Sequence, residues 1–232
     1  MDRAGWNLHA NKFESLVCDI AAEGTNDELA RMVRVACKAR KNPVLVDLGC
    51  GVGTFIQQFG DRFSEIVGIE FAPRIIARAR KHCAGMPNIT WHAQDITRAP
   101  ELISRRADLT VCLNVITSPS SAKRSALWSS VQAVTKRGGF ALMVVPSAES
   151  NEMVSSLDGD DDEAPTDGLV KRDGIWQKHY RRDELVSILS NFSFKAKSIR
   201  RASYPWSVEG LRKPRLAGNR APWDWVCLAK RV

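Results

Sequence analysis

Residues 43–53 read Pro-Val-Leu-Val-Asp-Leu-Gly-Cys-Gly-Val-Gly, and they hold the pattern richest in chemistry. Asp47 stands inside an apolar run. Gly49, Gly51 and Gly53 follow at every second position, with Cys50 between the first two, and Thr-Phe-Ile-Gln-Gln-Phe then has helix character. Fully buried strands are apolar runs rather than alternations, so the order is strand, glycine turn, helix. That geometry lets a ligand touch bare backbone at a helix N-terminus. The spacing departs from the dinucleotide fingerprint G-x-G-x-x-G, and no G-K-[ST] places a lysine on phosphates. A second acid, Glu70, ends the run Ser64–Ile69 about twenty residues beyond the turn, where a carboxylate reaches the two ribose hydroxyls of a nucleoside. Two acceptor oxygens match two vicinal donors. Phe71, next in line, is placed to lie against the base.

Asp-Leu-Gly-Cys-Gly-Val-Gly, with an acid two residues before the first glycine, resembles the first motif of class I S-adenosylmethionine (SAM)-dependent methyltransferases. The resemblance implies SAM as cofactor. SAM has no phosphate, so the turn through Asp47, Gly49, Cys50 and Gly51 need only pass close to its methionine part. In the family an acid after the third strand contacts the adenine amino group. Asp95, followed by Ile96 and closing the run Ile89–Gln94, matches it. Asn114 closes the fourth run, Asp108–Asn114, and borders the place where donor meets acceptor. DNA and glutamine N-methyltransferases have Asn/Asp-Pro-Pro-Tyr/Phe there. This chain has Asn114-Val115-Ile116-Thr117, which disfavours base or amide methylation of that type. Asn114 stays a candidate for holding the methionine part or the acceptor.

These residues need a frame. The resemblance implies an α/β fold: a seven-stranded Rossmann-like methyltransferase sheet, mostly parallel with an antiparallel last strand. Helices cover both faces, and an N-terminal helical cover spans residues 1–40. The helical spacing of Phe13, Leu16, Val17 and Ile20, and of Leu29, Met32 and Val33, predicts two helices over 6–40, the second capped by Thr25 or Asn26. In the family such a pair sits over the cofactor, and Trp6, Phe13, Glu14, Val17 and Asp19 look like this arrangement; simple packing of Trp6 and Phe13 is the alternative. A helix over 72–84 takes Pro73 in its first turn. Another runs from about Ser121 to Thr135. Lys136-Arg137-Gly138-Gly139 then turns into a fifth strand. Residues 147–173 read as a polar, aperiodic insertion, and stretches this long are usually functional or disordered. We read residues 147–180 as a lid over the acceptor. Phe192–Ile199 and Trp223–Lys230 are expected as an antiparallel final pair. No linker divides the chain, so residues 1–232 read as one domain.

SAM carries a methyl group already activated by its sulfonium, so transfer asks mostly for alignment and a deprotonated nucleophile. A general base helps a hydroxyl or carboxyl acceptor. His9, His179 and Tyr180 are the candidates, with His179 preferred because Lys178-His179-Tyr180 leads into a helix beside the lid. His82 and His92 read as surface and strand residues. Asp158 and Asp160–Asp162 lie in a glycine-broken loop, and no metal is expected. The favoured activity is methyl transfer to an oxygen or nitrogen of a small molecule. The same motifs also suit an enzyme that cyclises or transfers the aminobutyryl arm and releases methylthioadenosine. A nucleic-acid-binding methyltransferase or a non-catalytic SAM-binding protein is the reading from another class.

Composition sets the outer bounds. The 232 residues are 44% hydrophobic and 26% charged, ordinary for a globular domain and enough for one sizeable core. No apolar run of about 18 residues or more appears, so no membrane-spanning helix is expected. The first residues lack a secretory pattern. The six cysteines show neither C-x-x-C nor zinc spacing, which suits a reducing cytosol. The net charge of +8 permits nucleic acid without requiring it. No recognisable RNA-binding module accompanies the basic C-terminal half, and the oligomeric state is left open.

Overall fold

The computed structural model describes residues 3–13, 20–21, 26–158, 166–172, 174–210 and 212–232. Seven strands form one sheet in the order β3-β2-β1-β4-β5-β9-β8. They are β1 (Val44–Leu48), β2 (Glu65–Ile69), β3 (Ile89–His92), β4 (Ala107–Leu113), β5 (Thr135–Pro146), β8 (Phe194–Ser203) and β9 (Trp223–Arg231). The pairs among β1–β5 are parallel. β9 is inserted antiparallel between β5 and β8, as the reading of the last two strands expects. The chain leaves β1 towards β2 and β3, then returns to place β4 on the other side of β1. Where strand order reverses, a crevice opens beyond the carboxyl ends of β1 and β4.

All five residues of β1 are buried because both sheet faces are covered. Val46 and Leu48 point into one core with Leu127, Trp128 and Val131 of α6 (Ser121–Val134) and Leu185 and Leu189 of α8 (Arg182–Asn191). Leu45 points into the other. There it meets Leu29 and Met32 of α2 (Asn26–Cys37), Phe55 and Ile56 of α3 (Thr54–Phe59), and Ile76 of α4 (Pro73–His82). Strand side chains alternate, so Asp47 projects on the same side as Leu45, towards α3. The amino-terminal ends of the strands are tied by Asp108. Its buried carboxylate pairs with Arg40 and Lys136 and accepts the Val44 N–H at 3.0 Å.

The N-terminal segment contributes α1 (Arg3–Leu8), a 3-10 turn at Ala10–Lys12, and α2. Trp6 and Phe13 have ring centroids 5.6 Å apart and pack with Phe71 on Ala10, Val52 and Ile75. Glu14, Val17, Asp19 and Thr25 lie outside the described residues.

The insertion differs from the aperiodic stretch expected. Ala148–Asp158 is a helix, α7, and β6 (Leu169–Arg172) pairs with β7 (Ile175–Lys178) as a hairpin. The physical reason is tertiary. Ser147 Oγ accepts the Ser150 N–H at 3.1 Å and so caps α7. Glu149 accepts from Trp225 Nε1 at 3.1 Å and the Arg182 N–H at 2.9 Å, and Ser150 Oγ accepts the Trp223 N–H at 2.8 Å. Val154 packs on Trp206 and Ala217. The start of α7 is therefore fastened to the start of β9. The acidic residues 160–162 lie outside the described residues. The other described helix, α5, is the single turn Ala99–Leu102.

Candidate functional site

The glycine turn joins β1 to α3 at the point where strand order reverses. Gly49, Gly51 and Gly53 all have positive φ, at 77°, 52° and 85°, a region that side chains with a Cβ enter only under strain. The N–H groups of Gly49 and Cys50 both donate to the Ile69 carbonyl, at 2.7 and 3.0 Å, which draws the turn onto β2. A Cβ on Gly49 would overlap Val115, and one on Gly51 would stand 2.8 Å from the Phe13 ring. The turn therefore presents main chain to a small recess. Asp47, Gly49, Gly51, Thr54, Phe13, Leu113 and Asn114 line it. Cys50 is buried, and burial pushes its thiol well above the ordinary range, with the Asp47 and Glu70 carboxyls adding to the effect. It contributes backbone and bulk rather than a nucleophile.

Glu70 follows the last residue of β2 and is buried. Its Oε1 accepts the Ala72 N–H at 2.9 Å. Burial raises its carboxyl above the usual range, while the N–H groups of Ala72, Gly51 and Phe71 partly offset that. The acid thus ties the end of β2 to the start of α4. A carboxylate offers about four acceptor positions. With the Ala72 N–H on one of them, acceptor positions remain for a ligand. Asp95 caps the 3-10 turn Ile96–Arg98: its Oδ1 accepts from Thr97 N at 2.9 Å and Thr97 Oγ1 at 2.8 Å. Ile96 is buried. Strand order places Glu70 one strand from the turn and Asp95 two strands away.

Asn114 sits just past β4 with φ +54°. Its N–H donates to the Val144 carbonyl at 2.9 Å, which keeps it in line with β5. Its Nδ2 donates to Asp224 Oδ2 at 3.0 Å, while its Oδ1 is buried without a hydrogen-bond partner. Asp224 is itself buried in β9 and also accepts from the Tyr204 hydroxyl at 3.5 Å. The sequence reading placed Tyr204 in a segment flanking the pocket mouth but missed Asp224. A single acid inside the apolar run Trp223–Ala229, between two tryptophans, was the signal for Asp224.

His179 and Tyr180 lie beyond the end of β5, joined to it by a Tyr180 N–H bond to the Pro146 carbonyl at 2.8 Å. Neither lines the recess around the glycine turn. His179 is buried, with Nδ1 3.4 Å from the Ser147 carbonyl. Tyr180 departs from the expectation of a catalytic phenol. It is fully buried, its hydroxyl donates to the Ile116 carbonyl at 2.6 Å, and its ring meets the edge of Trp128 at 6.5 Å. Burial pushes the phenol far up, out of the range useful to a base. The neighbouring Lys178 is buried too, and its ammonium is 2.7 Å from Glu184 and donates to the Asp167 carbonyl at 2.6 Å. Among the described residues, no group of three or more His, Cys, Asp or Glu side chains is arranged to hold a metal ion.

Comparison with known proteins agrees with this architecture. Residues 45–139 match the family model of a methyltransferase domain. Trans-aconitate 2-methyltransferase of Acidovorax sp. (strain JS42) is 34% identical over 92 residues, which is 38% of this chain and 35% of that protein. A 23S rRNA (uracil(1939)-C(5))-methyltransferase of Klebsiella pneumoniae is 28% identical over 82 residues, 33% of this chain and 19% of the relative. The matches thus span about a third or less of the length of these relatives. Among solved structures, magnesium protoporphyrin IX methyltransferase from Synechocystis PCC 6803 with bound SAH superposes with a TM-score of 0.66. It covers 92% of this chain and 84% of its own, at 15% identity. A SAM-dependent methyltransferase from Clostridium acetobutylicum gives 0.65 over 98% and 99% at 13% identity. The strand order and these superpositions show the fold of class I, Rossmann-like methyltransferases, and residues 45–139 match the model of a methyltransferase domain.

Proposed function

We propose that the chain is a SAM-dependent enzyme that moves a methyl group to an oxygen or nitrogen of a small-molecule acceptor. One observation carries this: three positive-φ glycines present bare backbone beside a recess lined by Asp47 and Asn114, with Glu70 at the tip of the neighbouring strand β2. The residues present fit the cofactor. Gly49 and Gly51 leave a cradle that any Cβ would narrow. Glu70 keeps an acceptor position for a sugar hydroxyl, and Asn114 Oδ1 is a buried acceptor in want of a donor. Asp47, Gly49, Cys50 and Gly51 would hold the amino-acid arm. Glu70 and Phe71 would hold the ribose and one base face, and Asp95 with Ile96 the far edge of the adenine. When bound, SAM supplies a methyl group made electrophilic by its sulfonium. The chain's share is then to align the acceptor, exclude water and take up a proton.

For that proton His179 is the residue we assign. With Nδ1–H turned to the Ser147 carbonyl, the basic nitrogen is Nε2. His179→Gln should lower kcat about 10²–10⁴-fold, the range for a lost general base, and flatten the acid limb of the rate profile. The direct test of the whole reading is incubation with methyl-labelled SAM and candidate acceptors. S-adenosylhomocysteine as the product supports methyl transfer. Release of methylthioadenosine would favour chemistry on the aminobutyryl arm instead. No binding of either nucleoside would remove the proposal. A nucleic-acid acceptor is the second reading, motivated by exposed Lys195, Lys197, Arg200 and Arg201 along the edge strand β8. It requires RNA affinity that falls steeply with salt.

A further inference from the structure

Asn114 is unusual in this site because its two amide atoms meet different surroundings. A carboxylate can only accept, so the contact with Asp224 must be made by Nδ2. That fixes the amide's rotation and leaves Oδ1 on the opposite side, buried and without a partner. Buried acceptors in this state are uncommon and call for an explanation. Asp224 is held in turn from the far side by the Tyr204 hydroxyl, 3.5 Å away. The line Tyr204–Asp224–Asn114 therefore starts in the connection between β8 and β9 and ends at the lining of the recess.

The sheet says which part of a nucleoside would meet that oxygen. Glu70 is on β2, on one side of β1, and Asn114 follows β4, on the other. A ligand with its sugar over Glu70 and its middle on the glycine turn has its opposite end at Asn114. We infer that Asp224 is a positioning residue: by holding Asn114 Nδ2 it aims Oδ1 at the cationic amino group on the amino-acid arm of the cofactor. The carboxylate behind the amide polarises it and strengthens Oδ1 as an acceptor. A ligand lacking that arm gains nothing from the pair. This rests on the cofactor reading proposed above.

The test compares two ligands by calorimetry. S-adenosylhomocysteine has the amino-acid arm, and methylthioadenosine shares the nucleoside but lacks it. Asp224→Leu should weaken S-adenosylhomocysteine about tenfold or more and leave methylthioadenosine within about twofold. Asp224→Asn keeps an oxygen for Asn114 Nδ2 and should recover most of the loss. Asn114→Gly, which tolerates the positive φ, supplies the same comparison if the Asp224→Leu chain does not fold. Equal losses for both ligands, or no loss for either, overturn the positioning role while leaving the cofactor site standing. Failure of the unsubstituted protein to bind either ligand overturns the cofactor reading, and this inference with it.

Discussion

Replacing Glu70 by glutamine separates its two roles. Glutamine keeps the shape and one carbonyl oxygen but loses the charge and half of the acceptor positions. In the ligand-free protein, the carboxylate is buried and accepts the Ala72 N–H. With the Ala72 N–H on one of about four acceptor positions, others stay open to a ribose hydroxyl. A hydrogen bond to a charged group is worth about 1.5–3 kcal/mol. The Kd for S-adenosylhomocysteine should therefore rise about 10–150-fold, at about 1.4 kcal/mol per factor of ten. The raised carboxyl adds a pH signature. A folded-state value above 4.5 means that the folded protein binds the extra proton. Ligand-free stability from this group is then greatest below that value and falls as pH climbs through the raised one. Affinity should climb over the same interval, because the ionised form is the better acceptor. Calorimetric titrations of both proteins at a series of pH values read this directly. Affinity of Glu70→Gln within about twofold of the parent at every pH would refute the ribose assignment.

Gly49→Ala forces a Cβ into Val115 at φ +77°, so urea unfolding should show a loss of about 2–3 kcal/mol and the variant should bind the cofactor poorly. Asp108 is held below the usual carboxylate range: burial alone would raise it, but Lys136, the Val44 N–H and Arg40 together prevail. Its contribution is present above 3.8 and lost as pH falls through the depressed value. Asp108→Asn should accordingly cost about 2–3 kcal/mol near neutrality, less than the roughly 3–5 kcal/mol of a fully buried pair because Lys136 is partly exposed, and should flatten the acid limb of the stability curve. Tyr180→Phe strands the Ile116 carbonyl and should lower stability by about 1–2 kcal/mol with kcat unchanged; a fall in kcat beyond about tenfold would restore the phenol to the chemistry.

Much of the cofactor side was legible because its signals are local. An apolar run, glycines at alternate positions and an acid at a fixed distance specify strand, turn and strand tip through backbone geometry alone. The glycines were required by positive φ, and no distant residue could change that. The mostly parallel sheet was expected from the family resemblance, while the apolar run around Asp47 was legible as a strand buried on both faces. Spacing placed Glu70 at the end of β2, yet its bond to the Ala72 N–H was not legible, since that depends on how the chain turns into α4.

What escaped depended on residues far apart in the chain. The insertion after β5 read as aperiodic because α7 is stabilised by Trp223, Trp225 and Trp206 rather than by its own pattern. Tyr180 resembled a catalytic residue until Trp128 and the Ile116 carbonyl closed around it. Asp224 reaches Asn114 across 110 positions of sequence, and no local signal predicts that approach. Spacing determined the backbone cradle, because dihedral angles are local. Only the folded sheet, by setting β9 beside β5, decided which side chains stand behind it, because burial and hydrogen bonding are properties of neighbours in space.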